Sequence, residues 1–196
     1  ALLANCGEAL TNVDLIAVAA GPGSFTGLRI GVSTAKGLAW AEDKDCAPCS
    51  TLESMAWNLA GFSGQVCAAM DARRHQIYNA RFQVDGQCPR RLTPDRAISL
   101  DDLVQELAGT QTPQLVVGDG AQLCYDALTA AGIPAVLAPP NLRMQSAWGV
   151  ARQALALAQA GQTLSPAQLV PVYHRLSQAE RERLEREQSA QTPHPQ

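Results

Sequence analysis

The apolar run Leu15-Ile16-Ala17-Val18-Ala19-Ala20 passes directly into Gly21-Pro22-Gly23-Ser24-Phe25-Thr26-Gly27, and this junction limits the folds open to the chain more than any other stretch. The run has the length and composition of a parallel strand covered on both faces. Residues 27 to 41 then read as a helix. Ser24 or Thr26 can cap it, while the glycines permit backbone angles and close approaches that a Cβ would forbid. A buried strand turning into a helix belongs to a layered α/β fold.

Strand-to-helix turns often hold phosphates, so the spacing is informative. Gly27 is followed by Leu28 where a P-loop needs Lys. Gly21, Gly23 and Gly27 leave one residue too many before the third glycine of a dinucleotide fingerprint. Phe25 stands where a nucleophile elbow needs Ser. The turn therefore reads as a tight connection with capping hydroxyls. In the helix, Gly27, Gly31, Ala35 and Ala39 recur every four residues as a row of small side chains that lets another backbone approach. Arg29, Ser33, Lys36 and Trp40 form a polar stripe with an aromatic at one end, and Leu28, Ile30, Val32 and Leu38 remain to pack inward or against a partner. Two arrangements satisfy this pattern: an internal helix, or one that docks a second subunit.

From Gly64 the pattern starts a second lobe, dividing the chain into 1–63, 64–176 and a charged, disordered tail at 177–196. Residues 66 to 70 and 76 to 84 read as paired strands around a turn that clusters Asp71, Arg73 and Arg74, either paired with one another or offered to a partner. Tyr78, Ala80, Phe82 and Val84 alternate with Asn79, Arg81 and Gln83, which predicts one wet sheet face. Ser99 to Asp102 cap a helix through Ala108, and Leu115-Val116-Val117 is a buried strand that ends in Gly118-Asp119-Gly120 before a helix at 121–131. A strand at 133–137 and a helix at 146–160, placed to pack back on the first lobe, complete the alternation.

With 46% hydrophobic and 17% charged side chains, 196 residues suffice to bury a core. A net charge of −3 argues against an autonomous RNA-binding surface, which needs a basic patch. No apolar stretch approaches membrane-spanning length. Cysteines at 6, 46, 49, 67, 88 and 124 read as cytosolic thiols. Cys46-Ala47-Pro48-Cys49 ahead of the capping box Ser50 to Glu53 keeps a thioredoxin-like alternative open. His75, His174 and His194 have no metal-ligand spacing.

Taken together, GPGSFTGLRIGVSTAKGLAWA at 21–41, CSTLESMA at 49–56, MDARRHQIYNARF at 70–82 and PVYHR at 171–175 resemble the bacterial TsaB (YeaZ) family, in order and over nearly the full chain. The resemblance implies a two-lobed fold of the sugar-kinase, actin and heat-shock ATPase type. It also implies a cytoplasmic, non-catalytic relative of TsaD, the subunit that attaches a threonylcarbamoyl group to adenosine beside the anticodon of certain tRNAs. On that reading the partner is TsaD, with TsaE in the larger complex, a homodimer in isolation, and tRNA reached only indirectly. The partner interface falls on Gly27, Leu28, Arg29, Gly31, Val32, Ala35, Lys36, Ala39 and Trp40. Gly21, Gly23, Ser24, Gly118 and Gly120 become vestigial nucleotide-side turns, with no cofactor held by this chain and ATP expected only in the whole complex. Tyr173 and Arg175 anchor the last strand or turn. The family pattern begins with a strand hairpin and a first helix, about 30 residues by ordinary element lengths. Here Ala1 to Ala4 read as the tail of that helix, so the expected first lobe is truncated. The competing functions are a degenerate ATPase or glycopeptidase-like hydrolase using Asp71 and Ser24, and a thiol oxidoreductase using Cys46 and Cys49.

Overall fold

Strand β1 (Leu15–Gly21) ends at the glycine turn and α2 (Phe25–Ala41) follows, after a short α1 (Leu2–Asn5), in a computed structural model that describes residues 2–175. The helix starts two residues earlier than its pattern predicts. Ser24 is the cap, its Oγ accepting from the Gly27 amide at 3.4 Å, and Thr26 lies inside the first turn. Hydroxyl caps start three further helices in the same way. Ser50 accepts from Glu53 N at 3.1 Å, Ser99 from Asp102 N at 3.0 Å and Ser146 from Gly149 N at 3.0 Å.

β1 pairs in parallel with β2 (Asp45–Ser50), which runs straight into α3 (Thr51–Trp57). Val32, Ala35 and Ala39 of α2 pack on one face of this pair with Ile16, Val18 and Cys46. On the other face lie Ala154, Val150 and Leu157 of α7 (Ala147–Gln159), against Ala47 and Cys49. The helix predicted at 146–160 thus crosses back to the first sheet. Gly149 makes that crossing close: a Cβ there would come within 2.0 Å of the Ser54 carbonyl oxygen.

The larger sheet is built on β3 (Ser63–Asp71), paired antiparallel to β4 (Gln76–Asp85) and parallel to β7 (Gln114–Val117). β8 (Ala135–Leu137), followed by the short α6 (Pro140–Arg143), extends it in parallel, and β5 (Arg90–Arg91) and β6 (Arg96–Ser99) pair with β4. Side chains along β3 alternate between two cores. Val66, Ala68 and Met70 join Leu52, Met55 and Phe82 beneath α3, whereas Cys67 and Ala69 face α4 (Leu100–Leu107) and α5 (Ala121–Ala130) with Leu103, Leu107 and Leu128.

This double cover corrects the expected wet face of β4. Asn79 is fully buried, donating to Ala68 O at 3.0 Å, and its carbonyl accepts from Arg96 at 3.1 Å. Arg81 pairs with Glu106 at 2.7 Å. Arg81 and Gln83 are half-buried and likewise hydrogen-bonded, Gln83 to the Gly64 carbonyl at 2.9 Å, so the polar side of the alternation is partnered by protein groups. The tail expected at 177–196 lies outside the described residues.

Candidate functional site

Four separated sequence motifs meet at a cleft of about 420 Å³ between the two sheets. The glycine turn brings Gly23, Ser24 and Phe25, the β3–β4 tip brings Asp71 and Arg73, the loop after β7 brings Asp119, and the last described segment brings Tyr173 to Arg175. Their positions are set by backbone contacts that leave no space for side chains. Gly21 has φ +145°, and a Cβ there would sit 2.2 Å from the Val172 carbonyl oxygen, while Val172 N donates to Ala20 O at 2.8 Å. A Cβ on Gly118 would reach Ala69 O at 2.0 Å, and one on Gly120 would meet Asp71 N at 2.8 Å. These glycines serve the chain's own packing. Of the five residues read as vestigial nucleotide-side turns, Gly23 and Ser24 line the cleft; Gly21, Gly118 and Gly120 shape it from behind.

The segment at 165–175 forms a strap. Lys36 Nζ donates to the carbonyls of Ala167 and Leu169 at 3.3 and 3.1 Å. Tyr173 stacks on Phe25 at 4.6 Å between ring centroids, and Arg29 lies 4.0 Å over Phe25 while its Nε donates to the Tyr173 hydroxyl at 3.1 Å. Arg175 reaches across to the Ala72 carbonyl. Tyr173 and Arg175 therefore anchor the strap to both sheets, and Arg29 and Lys36 grip it.

The cleft's charges are mixed. Asp71 Oδ1 accepts from Arg73 N at 2.6 Å, at a tip where Arg73, Arg74 and His75 all have left-handed φ, at 62°, 55° and 58°. Burial raises the Asp119 carboxyl above its ordinary pKa; backbone amides of residues 71, 119 and 120 oppose this, and the nearby Asp71 charge adds to it. Ser24 and Asp71, the pair of the hydrolase reading, share this cleft, with Ser24 Oγ engaged in capping and Asp71 in the tip. Among the described residues no group of three or more His, Cys, Asp or Glu side chains gathers to hold a metal ion.

The structure overturns the thiol reading. Cys46 packs toward α2 and Cys49 toward α7, on opposite faces of β2. Burial, helped by Glu53, pushes the Cys49 thiol up to about 12; burial and Asp45 also raise Cys46. Facing opposite sides of one strand, the two sulfurs cannot meet in a disulfide, and neither thiol has the lowered pKa of a reactive cysteine.

On α2 the structure divides the predicted interface. Leu28, Val32, Ala35 and Ala39 are buried inside the chain, and Gly31 is half-buried with its Cβ direction 3.8 Å from Val18. The small-residue row therefore serves mainly the helix's own packing on β1. Gly27, Arg29 and Trp40 are exposed, with Arg29 and the half-buried Lys36 committed to the strap. The outward face carries Ile30, Leu38 and Trp40, which are 63%, 43% and 66% exposed, with Gly27, Gly37 and Ala41 among them. A second cavity of about 260 Å³, lined by Trp40, Asp43, Pro166 and Ala167, opens beside this face.

Comparison with known proteins places this geometry. A family model described as TsaD, tRNA N6-adenosine threonylcarbamoyltransferase, matches residues 1–183. The tRNA threonylcarbamoyladenosine biosynthesis protein TsaB of Bacillus subtilis is 34% identical over 183 residues, covering 91% of this chain and 77% of that protein. Its Escherichia coli counterpart is 32% identical, covering 89% and 76%. A crystal structure of a Pseudomonas aeruginosa protein, described as similar to peptidase YEAZ, superposes with a TM-score of 0.72 at 26% identity, covering 89% of this chain and 79% of that one.

Proposed function

This chain belongs to the TsaB (YeaZ) family of tRNA threonylcarbamoyladenosine biosynthesis proteins, and on that premise we propose that it acts as a non-catalytic subunit that docks a TsaD-type catalytic subunit through the outer face of α2. Its fold is of the actin-like ATPase type. The observation that carries the proposal is the exposure of Ile30, Leu38 and Trp40 on a single helix whose other side is firmly packed. Water is a poor neighbour for three large apolar side chains on one face. Gly27, Gly37 and Ala41 lie among them and let a partner helix approach, while Trp40 and the adjacent cavity give an anchor of the kind that dominates binding energy. The net charge of −3 leaves RNA contact to the partner. The cleft contributes shape, with its serine and carboxylate held by the chain's own backbone.

The test is co-purification with the catalytic subunit using Ile30→Asp combined with Leu38→Asp. Both residues are exposed, so far-UV circular dichroism stays unchanged, and burying two unpaired charges weakens association by at least about 100-fold. Retained binding with an intact fold refutes this face. Threonylcarbamoyl transfer or ATP turnover by the isolated protein refutes the non-catalytic role. If the double variant abolishes only self-association, the face belongs to a homodimer.

A further inference from the structure

Cys67 lies in the middle of β3 and Cys124 near the start of α5, 57 positions later, and their sulfurs stand 3.8 Å apart in the buried layer between sheet and helices. Neither the cleft nor the α2 face uses them. The surroundings of Cys67 are unusually polar for a core. Buried Asn79 donates its amide to Cys67 Sγ at 3.4 Å, and its carbonyl oxygen accepts from Arg96. Arg81 and Arg96 both pair with Glu106 at 2.7 Å, fixing two guanidinium groups near this layer. A hydrogen bond from Cys124, then the Asn79 amide and the positive fields of Arg81 and Arg96, outweigh burial and lower the Cys67 pKa; the Cys124 thiol is raised, first by its hydrogen bond to Cys67 and then by burial. Of the two sulfurs, Cys67 is thus the one whose ionisation the surroundings favour, and Cys124 the one whose proton they hold.

We infer that Cys67 and Cys124 are a redox pair that closes to a reversible disulfide under peroxide, fastening α5 to β3. The sulfurs already stand 3.8 Å apart, and a disulfide requires them to close to about 2.05 Å. Both residues are buried, so the oxidant must be small and uncharged, and hydrogen peroxide is of that class. The Cys67 thiolate attacks one peroxide oxygen; the O–O bond breaks, hydroxide leaves, and Cys67 becomes a sulfenic acid. Cys124 sulfur then displaces the hydroxyl group: the S–S bond forms, the S–O bond breaks, and the Cys124 proton leaves with it as water. Two thiols lose two electrons and two protons in all, peroxide becomes two waters once its hydroxide is protonated, and a dithiol reductant reverses the bridge. The bridge joins the element that follows Asp119 to the strand that ends in Asp71, so its closure stiffens the floor of the cleft.

The experiment is graded hydrogen peroxide on the folded protein, followed by blocking of free thiols and peptide mapping without reduction. The expected product is a Cys67–Cys124 linked peptide that disappears with dithiothreitol, accompanied by a rise of several degrees in the thermal midpoint from the closed loop. In Cys124→Ala, Cys67 stops at the sulfenic acid, which dimedone captures when the oxidised protein is unfolded in its presence. The inference is overturned if only the exposed Cys6 and Cys88 are oxidised, or if the linked peptide forms only in urea-unfolded protein. Mapping of the unsubstituted protein decides between these results even if Cys124→Ala does not fold.

Discussion

The two sheets of this molecule are built from similar residues and finished very differently. Along β3, each side chain from Val66 to Ala69 is fully buried, because α3 covers one face and α4 and α5 the other. Along β1, equally apolar residues from Leu15 to Ala19 are only half-buried, and the helix beside them turns Ile30, Leu38 and Trp40 outward. The large sheet spends its apolar surface on its own stability. The small sheet and its helix leave part of theirs exposed, and it is this exposed part that the proposed docking would use.

The widest predicted difference is in core truncation. Phe82→Ala empties the cluster beneath α3 and costs about 4 kcal/mol, whereas Val18→Ala in the small sheet costs about 1 kcal/mol. Urea unfolding followed by circular dichroism measures both. Equal losses would remove the contrast between the sheets. Gly149→Ala comes next, at about 3 kcal/mol, because its Cβ would collide with the Ser54 carbonyl oxygen where α7 crosses α3. Unchanged stability there would mean that α7 holds the small sheet loosely. The smallest effect belongs to Asp119→Asn. The native carboxyl is raised, so its neutral form contributes stability below the unfolded-state pKa, and this is lost as pH rises through the folded-state pKa. The variant should therefore melt about 1–2 °C higher at neutral pH, with the gap shrinking in acid; differential scanning calorimetry at several pH values tests that sign.

Short-range chemistry made much of this fold legible. Ser24, Ser50, Ser99 and Ser146 announce helix starts through hydrogen bonds spanning three residues, and the strand-turn-helix order follows from apolar runs and glycines. Direction was harder to read. The row Gly27, Gly31, Ala35, Ala39 states that a backbone comes close without stating whose, and the answer at Ala35 and Ala39 is the chain's own sheet. Asn79 looked wet because alternation records polarity, while burial depends on Arg96, Cys67 and Ala68 on neighbouring strands. Of the cleft, the sequence pairs only Ser24 with Asp71, as the hydrolase alternative; Asp119 and Tyr173 join them through tertiary packing, although each lies in or beside a motif conspicuous by itself. Gly118 carried a usable signal, since a glycine between a buried strand and a helix often marks backbone contact.

The strap has a consequence for how the molecule is made. Arg29 finds Tyr173 across 144 positions, and Lys36 finds Leu169 across 133. Contacts of such sequence separation form late, after the entropy of closing a long loop has been met. The early α2 segment must therefore leave the ribosome well before its clasp exists, with Ile30, Leu38 and Trp40 already made and nothing downstream yet holding Arg29 or Lys36. Until residues 167–173 have followed, Arg29 and Lys36 lack the hydroxyl and carbonyls that hold them, and the inner face of α2 lacks Leu169 as part of its cover.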